Sequence, residues 1–95
     1  MELVDRVAVV TGAARGIGYA LAEAFLAEGA RHVAVVDLSP TEVDDAARRL
    51  GERAHGFAVD VSDASAVAGL VAAVEDAHGP IDLFVSNAGI GTGAG

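Results

Sequence analysis

Two short runs of β-branched residues constrain the fold more than anything else in the sequence. Val7-Ala8-Val9-Val10 and Val33-Ala34-Val35-Val36 are apolar without a break. A half-buried strand alternates apolar and polar positions. These runs need cover on both faces, which is the pattern of strands inside a parallel sheet. Phe57-Ala58-Val59 and Leu83-Phe84-Val85 repeat the pattern more weakly. Helical patterns lie between the runs. Ile17, Leu21, Ala24 and Phe25 are spaced at i, i+4, i+7 and i+8 and predict an apolar stripe that ends at Gly29. Ser39-Pro40-Thr41-Glu42 suits a helix start: Ser39 caps, Pro40 occupies the first turn and Glu42 completes a capping box. Val43, Ala46, Ala47 and Leu50 then form the stripe, and Gly51 stops it. Ser62 or Asp63 can cap a third helix that turns Val67, Leu70, Val71 and Val74 inward and halts at Gly79-Pro80.

The resulting order is βαβαβαβ, and such strand–helix–strand crossovers are almost always right-handed. The fold class is therefore α/β with a doubly wound parallel sheet. Composition narrows the chemistry. The chain has 95 residues, 53% of them apolar, with no tryptophan and no cysteine. One domain or part of one fits that length, and disulfides, thiolate catalysis and cysteine-ligated metals are excluded. The net charge is -8, so no basic surface exists to follow a nucleic-acid backbone, and an anionic membrane would repel the chain. Residues 1–5 lack a basic segment, and the charge-free stretch Ala64 to Val74 is too short to span a bilayer. These features predict a cytoplasmic protein. All six basic residues are arginines, so chemistry that needs a lysine cannot be completed within the chain.

In open α/β sheets ligands bind beyond the carboxyl ends of the strands. Thr11-Gly12 follows the first strand, Asp37 and Leu38 close the second, Asp60 the third and Ser86-Asn87 the fourth. His32, His55 and His78 recur every 23 residues at the opposite edge. They are expected to be solvated turn residues with no shared metal, because the second and fourth strands are not neighbours. The first strand–helix turn reads Thr11-Gly12-Ala13-Ala14-Arg15-Gly16-Ile17-Gly18, with an acid 19 residues beyond Gly18. Glycines there allow a tight turn and let a pyrophosphate approach the backbone at the positive end of a helix.

The sequence resembles the short-chain dehydrogenases/reductases over essentially its whole length. The resemblance rests on Thr-Gly-x-x-x-Gly-x-Gly at Thr11 to Gly18, on Asp60-Val61 and on Asn87-Ala88-Gly89. Ser86 departs from the family, which often has a second asparagine there. The resemblance implies a Rossmann-like sheet, and crossover handedness gives strand order 3-2-1-4, with the first two helices on one face and the third on the other. It implies that Gly12, Gly16 and Gly18 shape a pyrophosphate turn and that Ile17 lies against the cofactor. By the same resemblance Asp60 hydrogen-bonds adenine beside Val61, and Asn87, Ala88 and Gly89 line the ribose. A carboxylate at Asp37 can hold both ribose hydroxyls and repel a 2′-phosphate, which argues for NAD over NADP. Arg15 argues for NADP, but Asp37 can pair with it and neutralise it.

The family's catalytic groups, a serine and a Tyr-x-x-x-Lys pair, have no match here. Tyr19 is followed four residues later by Glu23 and reads as a packing residue. The expectation is thus the amino-terminal, cofactor-binding part of a truncated NAD(P)-binding domain. Its whole protein would be an oxidoreductase acting on a small alcohol or carbonyl compound, and a homo-oligomer as in related members. The alternative is a non-catalytic dinucleotide-binding module. A methyltransferase also places a glycine loop after the first strand, but Asn87-Ala88-Gly89 and the three-residue gap between Gly12 and Gly16 argue against it. With one helix to cover four strands on its face, the chain alone should leave apolar surface bare.

Overall fold

The computed structural model describes residues 2–87. The elements run β1 (Val7–Thr11), α1 (Gly16–Ala27), β2 (His32–Asp37), α2 (Pro40–Leu50), β3 (Ala54–Ala58), α3 (Ala64–His78) and β4 (Leu83–Val85). All four strands are parallel, in the order β3-β2-β1-β4. This is the Rossmann-like arrangement that the sequence implied. Every side chain of β1 is buried, as is every one from His32 to Val36 of β2. The unbroken apolar runs are thus explained: both faces of both central strands are covered.

The two faces carry separate cores. Ala8, Val10, Val33 and Val35 pack on one side with Ala22 and Leu26 of α1 and Ala46 and Ala47 of α2. Val7, Val9, Ala34 and Val36 pack on the other with Leu70 and Val74 of α3. Alternation along each strand sends successive side chains to opposite cores.

The helix starts and stops match the local chemistry. Ser39 caps α2 by accepting a hydrogen bond from the Glu42 amide at 3.2 Å, and Gly51 closes the helix at φ 109°. Asp63 caps α3 by accepting from the amides of Ser65 and Ala66. Two elements differ from expectation. The buried face of α1 is Gly18, Ala22 and Leu26, with Leu21 and Phe25 flanking it, so the stripe lies one residue from the predicted Ile17-Leu21-Ala24-Phe25 set. Glycine and alanine carry the closest helix–sheet approach because they are small, and hydrophobicity patterns under-weight them. β3 begins at Ala54, three residues before the apolar run, because Ala54 to Ala58 pair in register with Val33 to Asp37. Its exposed His55 and Gly56 hide the strand in the sequence.

Cover is incomplete on the α3 face. Phe57, Val59 and Val61 are only partly buried, Phe84 is 40% exposed, and β4 pairs on one side only among the described residues.

Candidate functional site

The carboxyl ends of β1, β2 and β4 converge on the turn between β1 and α1. Gly12 and Gly16 sit at φ 63° and 65°, a left-handed conformation that favours glycine. Gly18 is there for a different reason. A Cβ at this position would collide with the Gly12 carbonyl and lie 2.8 Å from Asn87 Nδ2. The turn therefore folds back so closely on the start of α1 that no side chain fits between them.

Two further elements lock the turn. Asp37, the last residue of β2, accepts a hydrogen bond from the Ala14 amide at 3.1 Å through Oδ2 and from the Leu38 amide at 2.9 Å through Oδ1. The Ala13 amide donates to the Val36 carbonyl at 3.0 Å. From the other side, Asn87 Nδ2 donates to the Gly12 carbonyl at 3.2 Å, and the Asn87 amide donates to Thr11 Oγ1 at 2.8 Å. Thr11 Oγ1 in turn donates to the Val85 carbonyl at 3.4 Å. Thr11 is fully buried. The sequence reading marked Thr11 only as the first letter of the turn motif; its hydroxyl is the joint between the ends of β1 and β4.

The start of α1 is suited to an anion. Its N-cap residue, Arg15, makes no side-chain capping bond, and the first turn holds no acidic residue. The first amides of a helix lack intrahelical partners and carry the positive end of the dipole. Ile17 stands beside them, 72% exposed. An exposed isoleucine at the mouth of a glycine turn offers an apolar surface to whatever the amides hold. Leu38, also exposed, flanks Asp37.

Arg15 does not pair with Asp37, contrary to expectation. The Asp37 carboxylate is taken up by two backbone amides. Arg15 reaches instead toward Glu42 in the first turn of α2, at 4.0 Å, with its own side chain 83% exposed. So loose a pair in open solvent contributes little, and the guanidinium keeps its freedom to meet another anion.

Asp60 lies past the end of β3, as expected, but outside this knot of contacts. Its Oδ1 accepts from the Ser62 amide at 2.9 Å and from the Ser62 hydroxyl at 2.6 Å. Those two bonds hold its carboxyl below the usual carboxylate range. Val61 is partly buried against the α3-side core. Ala88 and Gly89 lie outside the described residues. Tyr19, on α1, packs against the core, with the Arg49 guanidinium 4.9 Å from its ring centre, in keeping with a packing role.

The opposite edge of the sheet overturns the expectation for the histidines. His32, His55 and His78 meet there. His32 is 1% exposed and stacks on His78, with ring centres 3.5 Å apart. Its Nδ1 lies 3.3 Å from Nδ1 of His55. Neighbouring strands were the wrong criterion, because α3 crosses the sheet and its last residue, His78, returns beneath the start of β2. Burial lowers the pKa of His32 to about 4, and repulsion from His78 and His55 adds to the shift. Burial lowers that of His78 as well, helped by His55 and the Arg31 guanidinium.

Comparison with known proteins identifies the family. Residues 6–95 match the family described as short chain dehydrogenase. Among curated proteins, the chain is 41% identical over 90 residues to galactitol 2-dehydrogenase of Agrobacterium fabrum, covering 95% of this chain and 35% of that protein. It is 47% identical over 92 residues to D-threitol dehydrogenase of Mycolicibacterium smegmatis, covering 94% and 35%. It is 39% identical over 92 residues to a 3-oxoacyl-acyl-carrier-protein reductase of Vibrio harveyi, covering 95% and 36%. The chain thus spans about a third of the length of the relatives it matches.

Proposed function

Since the chain belongs to the short-chain dehydrogenase family, we propose that it is the cofactor-binding part of an oxidoreductase. The whole protein would move hydride between a nicotinamide dinucleotide and the carbon of a small alcohol or carbonyl compound. The observation that carries this reading is the glycine turn itself. It has two glycines at positive φ, a third that excludes any side chain, and an uncapped helix start. That combination lets a pyrophosphate reach backbone amides.

Each residue then has a task. Gly12, Gly16 and Gly18 shape the turn, and Ile17 covers the bound dinucleotide. Asp37 receives the adenosine ribose, with Leu38 beside it. Asp60 and Val61 meet the adenine, and Asn87, with Ala88 and Gly89, borders the nicotinamide-side ribose. Ser62 engages only Oδ1 of Asp60, which keeps Oδ2 to accept from an exocyclic amino group. The bound dinucleotide supplies the hydride chemistry; the residues of this chain bind and orient it. Acid–base groups would come from the rest of a protein about three times as long. A cytoplasmic setting, a homo-oligomeric whole protein and residues 1–95 as the first part of a single dinucleotide-binding domain complete the proposal. Family resemblance carries these last three.

NAD is favoured over NADP. The Asp37 carboxylate is pinned by two amides, so it cannot swing away from a 2′-phosphate, and close like charges cost several kcal/mol outside bulk water (about 4 kcal/mol at 4 Å for an effective dielectric near 20). Arg15 is the counterweight, since no carboxylate at Asp37 neutralises it. Dissociation constants of NADH and NADPH for the full-length protein test the preference. The expected result is tighter NADH binding, with the gap narrowed at least tenfold in Asp37→Ser. Tighter NADPH binding by the wild type would overturn it. Reduction of NAD during oxidation of a polyol, or oxidation of NADH by a ketone, tests the enzymatic reading; dinucleotide binding without turnover on any such compound would favour a non-catalytic module.

A further inference from the structure

The histidine cluster lies at the edge of the sheet remote from the glycine turn, and the dehydrogenase reading does not use it. It is built from three separate elements. His32 opens β2, His55 is the second residue of β3, and His78 is the last residue of α3. Each ring offers a nitrogen, and the three nitrogens lie within 4.8 Å of one another. Two of them, on His32 and His55, are 3.3 Å apart. Zinc binds imidazole nitrogen at about 2.0–2.1 Å, so two ligands on a tetrahedral ion stand roughly 3.3–3.4 Å apart. That pair already has the spacing of two ligands on one ion.

A second observation points the same way. Nε2 of His32 is buried with no hydrogen-bond partner, the one such side-chain atom among the described residues. A buried polar nitrogen without a partner costs on the order of 1–3 kcal/mol. Packing of the three rings alone leaves that cost standing. Nε2 of His32 is the atom an ion would have to meet to remove that cost; an ion on Nδ1, beside His55, leaves it in place.

We propose that His32, His55 and His78 form a binding site for a divalent transition metal of the zinc class, which ties β2, β3 and the end of α3 together at the amino edge of the sheet. Three neutral imidazoles with no carboxylate among them suit zinc, nickel or copper rather than calcium or magnesium. Of the charges nearby, the Arg31 guanidinium opposes a cation at His78, and its own partners moderate that. Arg31 donates to the His78 carbonyl at 2.7 Å and lies 3.9 Å from Asp5, which offsets its charge. Arg53 donates to the carbonyls of Ala30 and Leu26 rather than toward the rings. His55 is exposed, which gives an ion a path from solvent and a fourth position for water. The stacked rings of His32 and His78, tilted by only 11°, cannot both aim in-plane lone pairs at one ion. The half-buried His78 ring must therefore turn, so metal binding should unstack the pair.

The test uses the full-length protein stripped with a chelator and titrated with Zn2+ and with Co2+ in excess Mg2+, which occupies surface carboxylates. The expected result is one ion per chain, the visible absorption of tetrahedral cobalt, and displaced imidazole resonances of all three histidines. Affinity should fall about a hundredfold or more in His55→Ala and in His78→Ala. Both positions have access to solvent, so folding should survive, and NADH affinity should stay within about twofold as a control on the remote site. Absence of a one-to-one zinc complex would overturn the proposal. So would zinc affinity unchanged in both variants, which would place the ion on carboxylates of this acidic chain.

Discussion

A methyl group added at Gly18 would run into the Gly12 carbonyl and the Asn87 amide. That single position records how tightly the ends of β1 and β4 and the start of α1 are drawn together. Thr11 does the same work from inside. Its hydroxyl accepts from the Asn87 amide and donates to the Val85 carbonyl. Thr11→Val keeps the shape but leaves a part-buried amide without its acceptor. The expected cost is about 1–3 kcal/mol in denaturant unfolding, together with weaker dinucleotide binding because Asn87 loses its anchor. Unchanged stability would contradict that role. The glycines were legible in the sequence because their spacing is specific. The role of Thr11 was not, since a threonine at a strand end has many ordinary uses until its partner, 76 residues away, is known.

Among the elements, α2 was the easiest to read. Ser39, Pro40 and Gly51 mark its ends, and Val43, Ala46 and Ala47 are its buried face. In α1 the prediction was off by one residue because its contact face is glycine and alanine. The histidines meet although β2 and β4 are not neighbours, because the crossover helix α3 ends at His78 beneath the start of β2. Their meeting has a consequence for pH. The folded-state pKa of His32 is lowered from 6.5 to about 4, so between those values the unfolded chain binds a proton that the native chain refuses. Stability is therefore fully present above about pH 6.5 and is lost as pH falls toward 4. Melting of the full-length protein in chelator across that window should show a decline. The decline should be smaller in the double variant His55→Ala/His78→Ala, where His32 loses both its cover and its like-charged neighbours. An equal decline in the double variant would contradict the account.

At the scale of the whole molecule, the unbroken valine runs were enough to imply a parallel sheet covered on both faces, and crossover handedness placed the helices correctly. The sequence also anticipated the bare surface. Phe84 is 40% exposed and β4 has a partner on one side only among the described residues. Unpaired edges and apolar patches invite association. The 95-residue chain expressed alone should therefore self-associate in light scattering, and Phe84→Ser should reduce that. A strictly monomeric chain with a sharp cooperative melt would count against it.

We propose that the turn from Gly12 to Gly18 holds a nicotinamide dinucleotide. Calorimetric titration of the full-length protein with NADH tests it most directly. The account predicts saturable binding of one NADH per chain, lost in a folded Gly18→Val variant whose side chain fills the space against Gly12. No binding by the wild type, or undiminished binding by the variant, would contradict it.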